Sequence, residues 1–181
     1  NDINGNFSGV TDFTLDNNII TEDTTGLFED YPVLSLSKFD ANLPVVENLN
    51  LRNLTLPTEL DLSKFYKLRS LDLTGSSVQN VIFPQTGLLA EVILPKSIKT
   101  FEIYNNPNLI NVSFESTANL ETIYIDCGKC KSFNVSEFCE NLDNLSLSNI
   151  TLRNIPNIYL TEDALYKLLV KTCNLTGEIT V

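Results

Sequence analysis

The sequence predicts a mainly β solenoid: short parallel strands, two per coil, stacked along one axis and closed at the C-terminal end by a helix. Three observations predict it. An apolar-x-x-apolar-x-apolar pattern recurs about every 21 residues, a second copy of that pattern runs interleaved with the first, and Val, Ile and Phe fill many of its strand positions.

The first series starts at Val46, Leu68, Leu89, Leu109, Cys130 and Leu152, and the second at Pro57, Val78, Ile98, Leu120 and Leu142. Across these eleven registers only Pro57 and Asn157 depart from the apolar template. The closing apolar-x-apolar of each unit is read as a short strand that sends alternate side chains inward. No single coil buries its apolar stripe alone, so roughly five stacked coils are expected to share one ladder core. Asn, Ser, Thr and Gly between the rungs suit the tight turns of such a coil.

The organisation expected along the chain has three parts. Residues 1–32, with short alternating pieces such as "DFTLD" and acidic turns, read as an N-terminal cap or the end of a preceding domain. Residues 33–160 are the repeat array. Residues 161–181 hold a capping helix over 161–172, started by Thr161 with Glu162 and Asp163 in its first turn and carrying an Ala164, Leu165, Leu168, Leu169, Thr172 stripe, followed by an exit strand in "GEITV".

The segments "LTLPTEL" (54–60), "VIFPQTGL" (81–88) and "VILPKSIKTFEI" (92–103) resemble the BspA-like class of leucine-rich repeats, whose units carry a leucine-proline-x-serine turn before the next rung. The general pattern covers about residues 46–158, the proline turn only its first half; "NVSFEST" and "FNVSEFCENL" lack it, and the Asn that follows many leucine-rich strands is seen mainly at Asn106. The resemblance implies a non-catalytic recognition or adhesion module of a larger protein, extracellular, on a cell surface or on a virion of gut-phage type.

Composition narrows the chemistry. Twelve basic against twenty-three acidic side chains give a net charge of −11, which opposes a phosphate backbone, so no nucleic acid is expected as partner. No apolar run is long enough to span a membrane, and no membrane insertion is expected of this segment. The opening residues lack the pattern of a signal peptide, and with no methionine the chain reads as a mature or excised piece of a longer product. The absence of histidine removes the usual general base and the commonest metal ligand, so Ser-His-Asp and Cys-His mechanisms are excluded.

The stretch "CGKC" at 127–130 has the spacing of a metal knuckle or a redox pair. In the repeat register Cys130 takes the rung equivalent to Leu89 and Leu109, which favours a small buried hydrophobe. A structural zinc would need Cys127, Cys130, Cys139 and Cys173 together. Three readings stand: buried thiols, favoured by the register, then a disulfide, then zinc. Asp2, Asn4 and Asn6 echo a calcium loop, but Phe7 and Phe13 occupy the positions where that loop needs glycine and a bidentate acid, so an ordinary polar segment is expected. Seven Asn-x-Ser/Thr triplets follow from an Asn-rich composition. No cofactor and no metal are expected.

The outward positions of the second series are Asp61, Ile82, Glu102, Tyr124 and Ser146, and those just past its strands are Ser63, Pro84, Tyr104, Asp126 and Ser148. Ile82, Glu102, Tyr104, Tyr124 and Asp126 therefore form the candidate ligand-binding surface, an aromatic and acidic strip for a protein or glycan ligand. The first series offers smaller outward residues: Asn50, Asp72, Ile93, Ser113 and Asn134. Two other readings compete: a spacer that binds nothing, with its tyrosines there for strand propensity, and a carbohydrate-active solenoid using Glu102 and Asp126 as an acid pair. Even repeat spacing, with no cleft-forming insertion, argues against catalysis.

Overall fold

The structure, a computed structural model, describes residues 11–16, 45–140, 149–155, 158–170, 173–176 and 179–180. The chain is a parallel β-solenoid of about four turns with few helices. The expectation of roughly five turns is corrected to four because the repeat loses its register after residue 126.

Strands β1 (Asp12–Asp16), β2 (Asn48–Arg52), β4 (Ser70–Asp72), β6 (Glu91–Leu94) and β8 (Asn111–Phe114) form one sheet in that order, here called sheet A. Strands β3 (Glu59–Asp61), β5 (Asn80–Ile82), β7 (Thr100–Ile103), β9 (Thr122–Asp126), β10 (Asn149–Arg153) and β12 (Cys173–Thr176) form sheet B. Every pairing is parallel, and the rungs predicted to stack do so: Leu49 pairs with Leu71, Leu71 with Val92, and Val92 with Val112. In sheet B, Leu60 pairs with Val81 and Phe101 with Ile123. Strand β1 extends sheet A from within the N-terminal segment, its Phe13 and Leu15 in register with Leu49 and Leu51.

Alternation explains the core. Along β2, β6, β7 and β9 inward residues are buried and their neighbours half-buried or exposed. The inward faces of both sheets meet in one cluster from Val46 to Ala164. Through it runs a chain of rings, Phe83 to Phe101 at 5.6 Å and Phe101 to Phe114 at 6.0 Å, continued by Phe114 to Phe138 at 6.1 Å and Phe138 to Phe133 at 5.5 Å. The first two pairs are edge-to-face, the arrangement the ring quadrupole favours.

The turns are held by two repeated devices. In the leucine-proline-x-serine turn, the Ser97 hydroxyl lies 2.6 Å from the carbonyl of Val78 and 3.0 Å from that of Ser76, one coil earlier. The serine thus satisfies backbone groups that a turn leaves without a strand partner. The second device is an Asn in the left-handed region just past a strand: Asn53 (φ 56°), Asn105 (φ 50°) and Asn154 (φ 53°). Each stands two residues beyond an inward rung, at Leu51, Ile103 and Leu152. One coil on, Asn53 and Asn105 cover Gly75 (φ 69°) and Gly128 (φ 53°), where any Cβ would collide with the Asn carboxamide.

Beyond residue 126 the expected rungs are corrected. Cys130, Phe133 and Val135 are buried as predicted, but the strand expected there is replaced by helix α1 (Val135–Glu140). Asn134 starts it, its Oδ1 accepting from the Glu137 amide at 3.2 Å while its Nδ2 donates to Glu137 Oε2 at 3.3 Å. That reciprocal cap is written in "NVSE", and its local stabilisation of a helix overrides the apolar-x-apolar strand signal. The Leu142 register, with Leu145 and Leu147, lies outside the described residues; the strand paired with β9 is β10, with Ile150 beside Ile123. The Leu152 register also shifts, since Leu152 itself is an inward rung of β10. Strands β11 (Ile158–Tyr159) and β13 (Ile179–Thr180) form a separate pair, the second within the expected exit strand.

Helix α2 (Glu162–Val170) occupies the predicted helical segment. The Thr161 hydroxyl accepts from the Ala164 amide at 3.2 Å, and the Thr161 amide donates to Ser136 Oγ at 3.0 Å, which fastens the start of α2 to α1. Helix α1 packs against α2, β8 and β11.

Candidate functional site

The outer face of sheet B carries the predicted strip. Register sets its layout: Glu102 pairs with Tyr124 and Tyr124 with Thr151, while Asp126 pairs with Arg153. Strands β5 and β7 are registered by Asn80 with Thr100, so Ile82 and Glu102, each two residues further along, share the outward parity. Inward Phe101, Ile103, Ile123 and Ile125 are wholly buried and fix the strands beneath.

The two tyrosines come together. Tyr104 and Tyr124 lie with ring centroids 4.7 Å apart at 32°, close to the offset stack that aromatic pairs adopt. The Tyr104 hydroxyl donates to Glu102 Oε2 at 3.1 Å. Arg153 Nη1 donates to the Tyr124 hydroxyl at 3.3 Å. Burial, then the hydrogen bond to Glu102 and its negative charge, then Tyr124, push the Tyr104 phenol above its ordinary value, so it stays a neutral donor across the physiological range. Tyr104 is 43% exposed and Ile82 42%, whereas Tyr124 and Glu102 are half-buried.

Asp126 is placed beside this group but serves the turn. Its Oδ1 accepts from the Gly128 amide at 3.0 Å and from Asn154 Nδ2 at 2.8 Å. Its carbonyl accepts from the Asn106 amide at 3.0 Å. Glu102 and Asp126 thus differ in circumstance: one points a carboxylate at a tyrosine hydroxyl on the surface, the other ties three coils together at a corner. Arg153 was missed in the sequence because its outward position belongs to β10, whose register the repeat does not forecast.

The "CGKC" stretch forms that corner. Cys127 and Cys130 are joined by a disulfide, with Cα atoms 5.1 Å apart. Gly128 and Lys129 both have positive φ, 53° and 68°, the signature of a tight reversal. This corrects the favoured expectation of buried thiols for these two residues: the rung reading places Cys130 inward as found, but two consecutive left-handed residues bring Cys127 within bonding reach of it. Backbone hydrogen bonds from Cys127 to the Arg153 carbonyl at 3.0 Å and from Lys129 to that of Asn154 at 2.8 Å secure the turn to the next coil. Cys139 is buried in α1, and the side chain of Cys173 lies outside the described residues.

Among the described residues no group of three or more Cys, Asp or Glu side chains is arranged to hold a metal ion. The loop-like residues Asp2, Asn4 and Asn6 lie outside the described residues. No described helix is long and apolar enough to cross a membrane. No family model, curated protein or solved structure matches the chain.

Proposed function

We propose that this chain is a non-catalytic recognition module of a larger extracellular, cell-surface or virion-associated protein, and that it binds a protein or glycan ligand on the outer face of sheet B. One observation carries the reading: Ile82 and Tyr104 are exposed around Glu102 on neighbouring strands in parallel register. Large apolar and aromatic groups left in water on such a scaffold mark contact surfaces.

The roughly 21-residue spacing, the leucine-proline turns and the Asn residues after the strands support a leucine-rich repeat of BspA-like type, and helix α2, packed on α1, is read as the C-terminal cap. No bond-breaking step is assigned to Glu102 and Asp126, because Asp126 is engaged in the corner by two donors. A spacer would be expected to close both outer faces.

The test is capture from a defined panel of purified host envelope proteins and immobilised glycans, with the parent domain beside a folded Tyr104→Ala, Tyr124→Ala variant. A ligand held by the parent and lost by the variant is the expected result. Capture that survives both substitutions would move the binding face elsewhere, and no capture across the panel would favour the spacer.

A further inference from the structure

Among the described residues no cation pairs with Glu102. Among the described residues the ion pairs are Arg52 with Asp72, Arg69 with Glu47 and Lys99 with Glu121. None involves Glu102, whose carboxylate accepts from the hydroxyl of Tyr104. The nearest cation in the strip, Arg153, is directed at Tyr124. The protein as a whole carries −11, so the field at this face draws cations in and repels anionic partners.

The rings fix what kind of cation fits. Tyr104 and Tyr124 stack on each other, with Tyr104 the more exposed of the two. That is not a coplanar platform along which a sugar chain would lie. It suits a single flat group. The outward column from Tyr124 through Glu102 to Ile82 then continues with an exposed aliphatic side chain.

We infer that Ile82, Glu102 and Tyr104 together take an arginine side chain from a basic segment of a partner protein. The guanidinium packs on the exposed part of the Tyr104 ring and donates to the carboxylate of Glu102, while its methylene stem lies along Ile82. Arginine is favoured over lysine because its planar, weakly hydrated head satisfies ring and carboxylate at once. A neutral glycan would stack on Tyr104 and donate hydroxyls to Glu102 but leave its charge unneutralised. This inference rests on the recognition reading above and names the chemistry of its ligand.

The experiment uses a fluorescently labelled short peptide of alternating arginine and leucine, its citrulline counterpart, and fluorescence anisotropy in low salt. Citrulline keeps the shape and removes the charge. Parent protein is expected to bind the arginine peptide about tenfold more tightly than the citrulline peptide, and Glu102→Gln to lose about the same factor. Tyr104→Phe keeps the ring and is expected to bind better than Tyr104→Ala. The control is Glu91→Gln, which removes the same charge from the exposed start of β6 on sheet A and is expected to change affinity less than about twofold. Circular dichroism confirms that each variant is folded.

Equal losses in Glu91→Gln and Glu102→Gln would overturn the inference, since binding would then follow net charge alone. Equal binding of the citrulline peptide, or no binding of the arginine peptide at millimolar concentration, would overturn it as well. If the arginine peptide fails while a panel ligand is still lost on Tyr104→Ala, Tyr124→Ala, recognition stands and the cation assignment falls. If both fail, the recognition reading falls with it.

Discussion

The two outer faces of the solenoid are built on the same rungs and differ in how far their side chains close on one another. Across the first coils of sheet A the polar side chains satisfy one another, while Glu91 and Ile93 further along stay exposed. Asn48 Nδ2 donates to Asp12 at 2.6 Å and Asn50 Nδ2 to Thr14 at 3.1 Å. Arg52 reaches Asp72, which also accepts from the amide and hydroxyl of Thr74 and is only 5% exposed. On sheet B the strip adds an exposed, stacked tyrosine beside its isoleucine and half-buried carboxylate. A coil repeat fixes which positions point outward; whether neighbours on successive rungs close that face or leave it open depends on their chemistry in pairs.

That comparison is broken most severely where both faces share a foundation. Phe101 is wholly buried and bridges the ring chain between Phe83 and Phe114. Phe101→Ala is expected to cost about 3–5 kcal/mol in urea unfolding, by lost burial and by the cavity left behind. A cost below about 1 kcal/mol would mean that the two sheets are not joined through this residue.

The disulfide corner comes next and belongs to sheet B alone. Replacing Cys127 and Cys130 together by alanine frees the short loop in the unfolded chain and is expected to cost roughly 2 kcal/mol. Because Cys127 and Lys129 hold Arg153 and Asn154 through backbone hydrogen bonds, amide exchange should quicken in β9 and β10 and stay unchanged in β2 and β4. Equal quickening in both sheets would erase the contrast.

Asp72→Asn tests the closed face. Burial works against the charge of Asp72, but the Thr74 hydroxyl and amide and the Arg52 guanidinium outweigh it and hold the carboxyl below its ordinary value of 3.8. Its contribution is therefore complete above that value and is lost as pH falls through the lowered folded value. With Arg52 42% exposed at its side chain, the loss near neutrality is expected to be about 1–2 kcal/mol, less than for a fully buried pair. Parent and variant unfolding curves should converge as the pH falls through that lowered value. A difference that persists there would assign the effect to packing.

The smallest effect on stability is expected at the open face. Tyr104→Ala removes a stacked pair and a surface hydrogen bond, for about 0.5–1.5 kcal/mol, yet should abolish capture. A variant of sheet A that lost binding while Tyr104→Ala kept it would reverse the assignment of the two faces.

Much of this architecture is legible in the residues, unevenly along the chain. From Val46 to Asp126 the apolar template places nearly every rung, because a parallel coil repeats one local requirement, alternate burial, at a fixed spacing. Phe13 and Leu15 carried the same signal in shorter form, and the Asn that ends β2, β7 and β10 was there to be read two residues past each inward rung. The "NVSE" cap was also present, a local helix signal that competes with the rung pattern in the same residues.

By itself, then, the sequence determined the solenoid, its two parallel series of strands, the inward identity of each rung to residue 126, and the outward addresses of Ile82, Glu102, Tyr104, Tyr124 and Asp126. Competing local signals started a helix at Val135 and brought Cys127 to Cys130, whereas tertiary structure decided that the two tyrosines stack and that Asp126 is spent on the corner while Glu102 is not. The reason is range. Alternation is encoded between residues two apart, whereas the partner of an outward side chain is set by coils about 21 residues away, and only the folded stack brings those coils into contact.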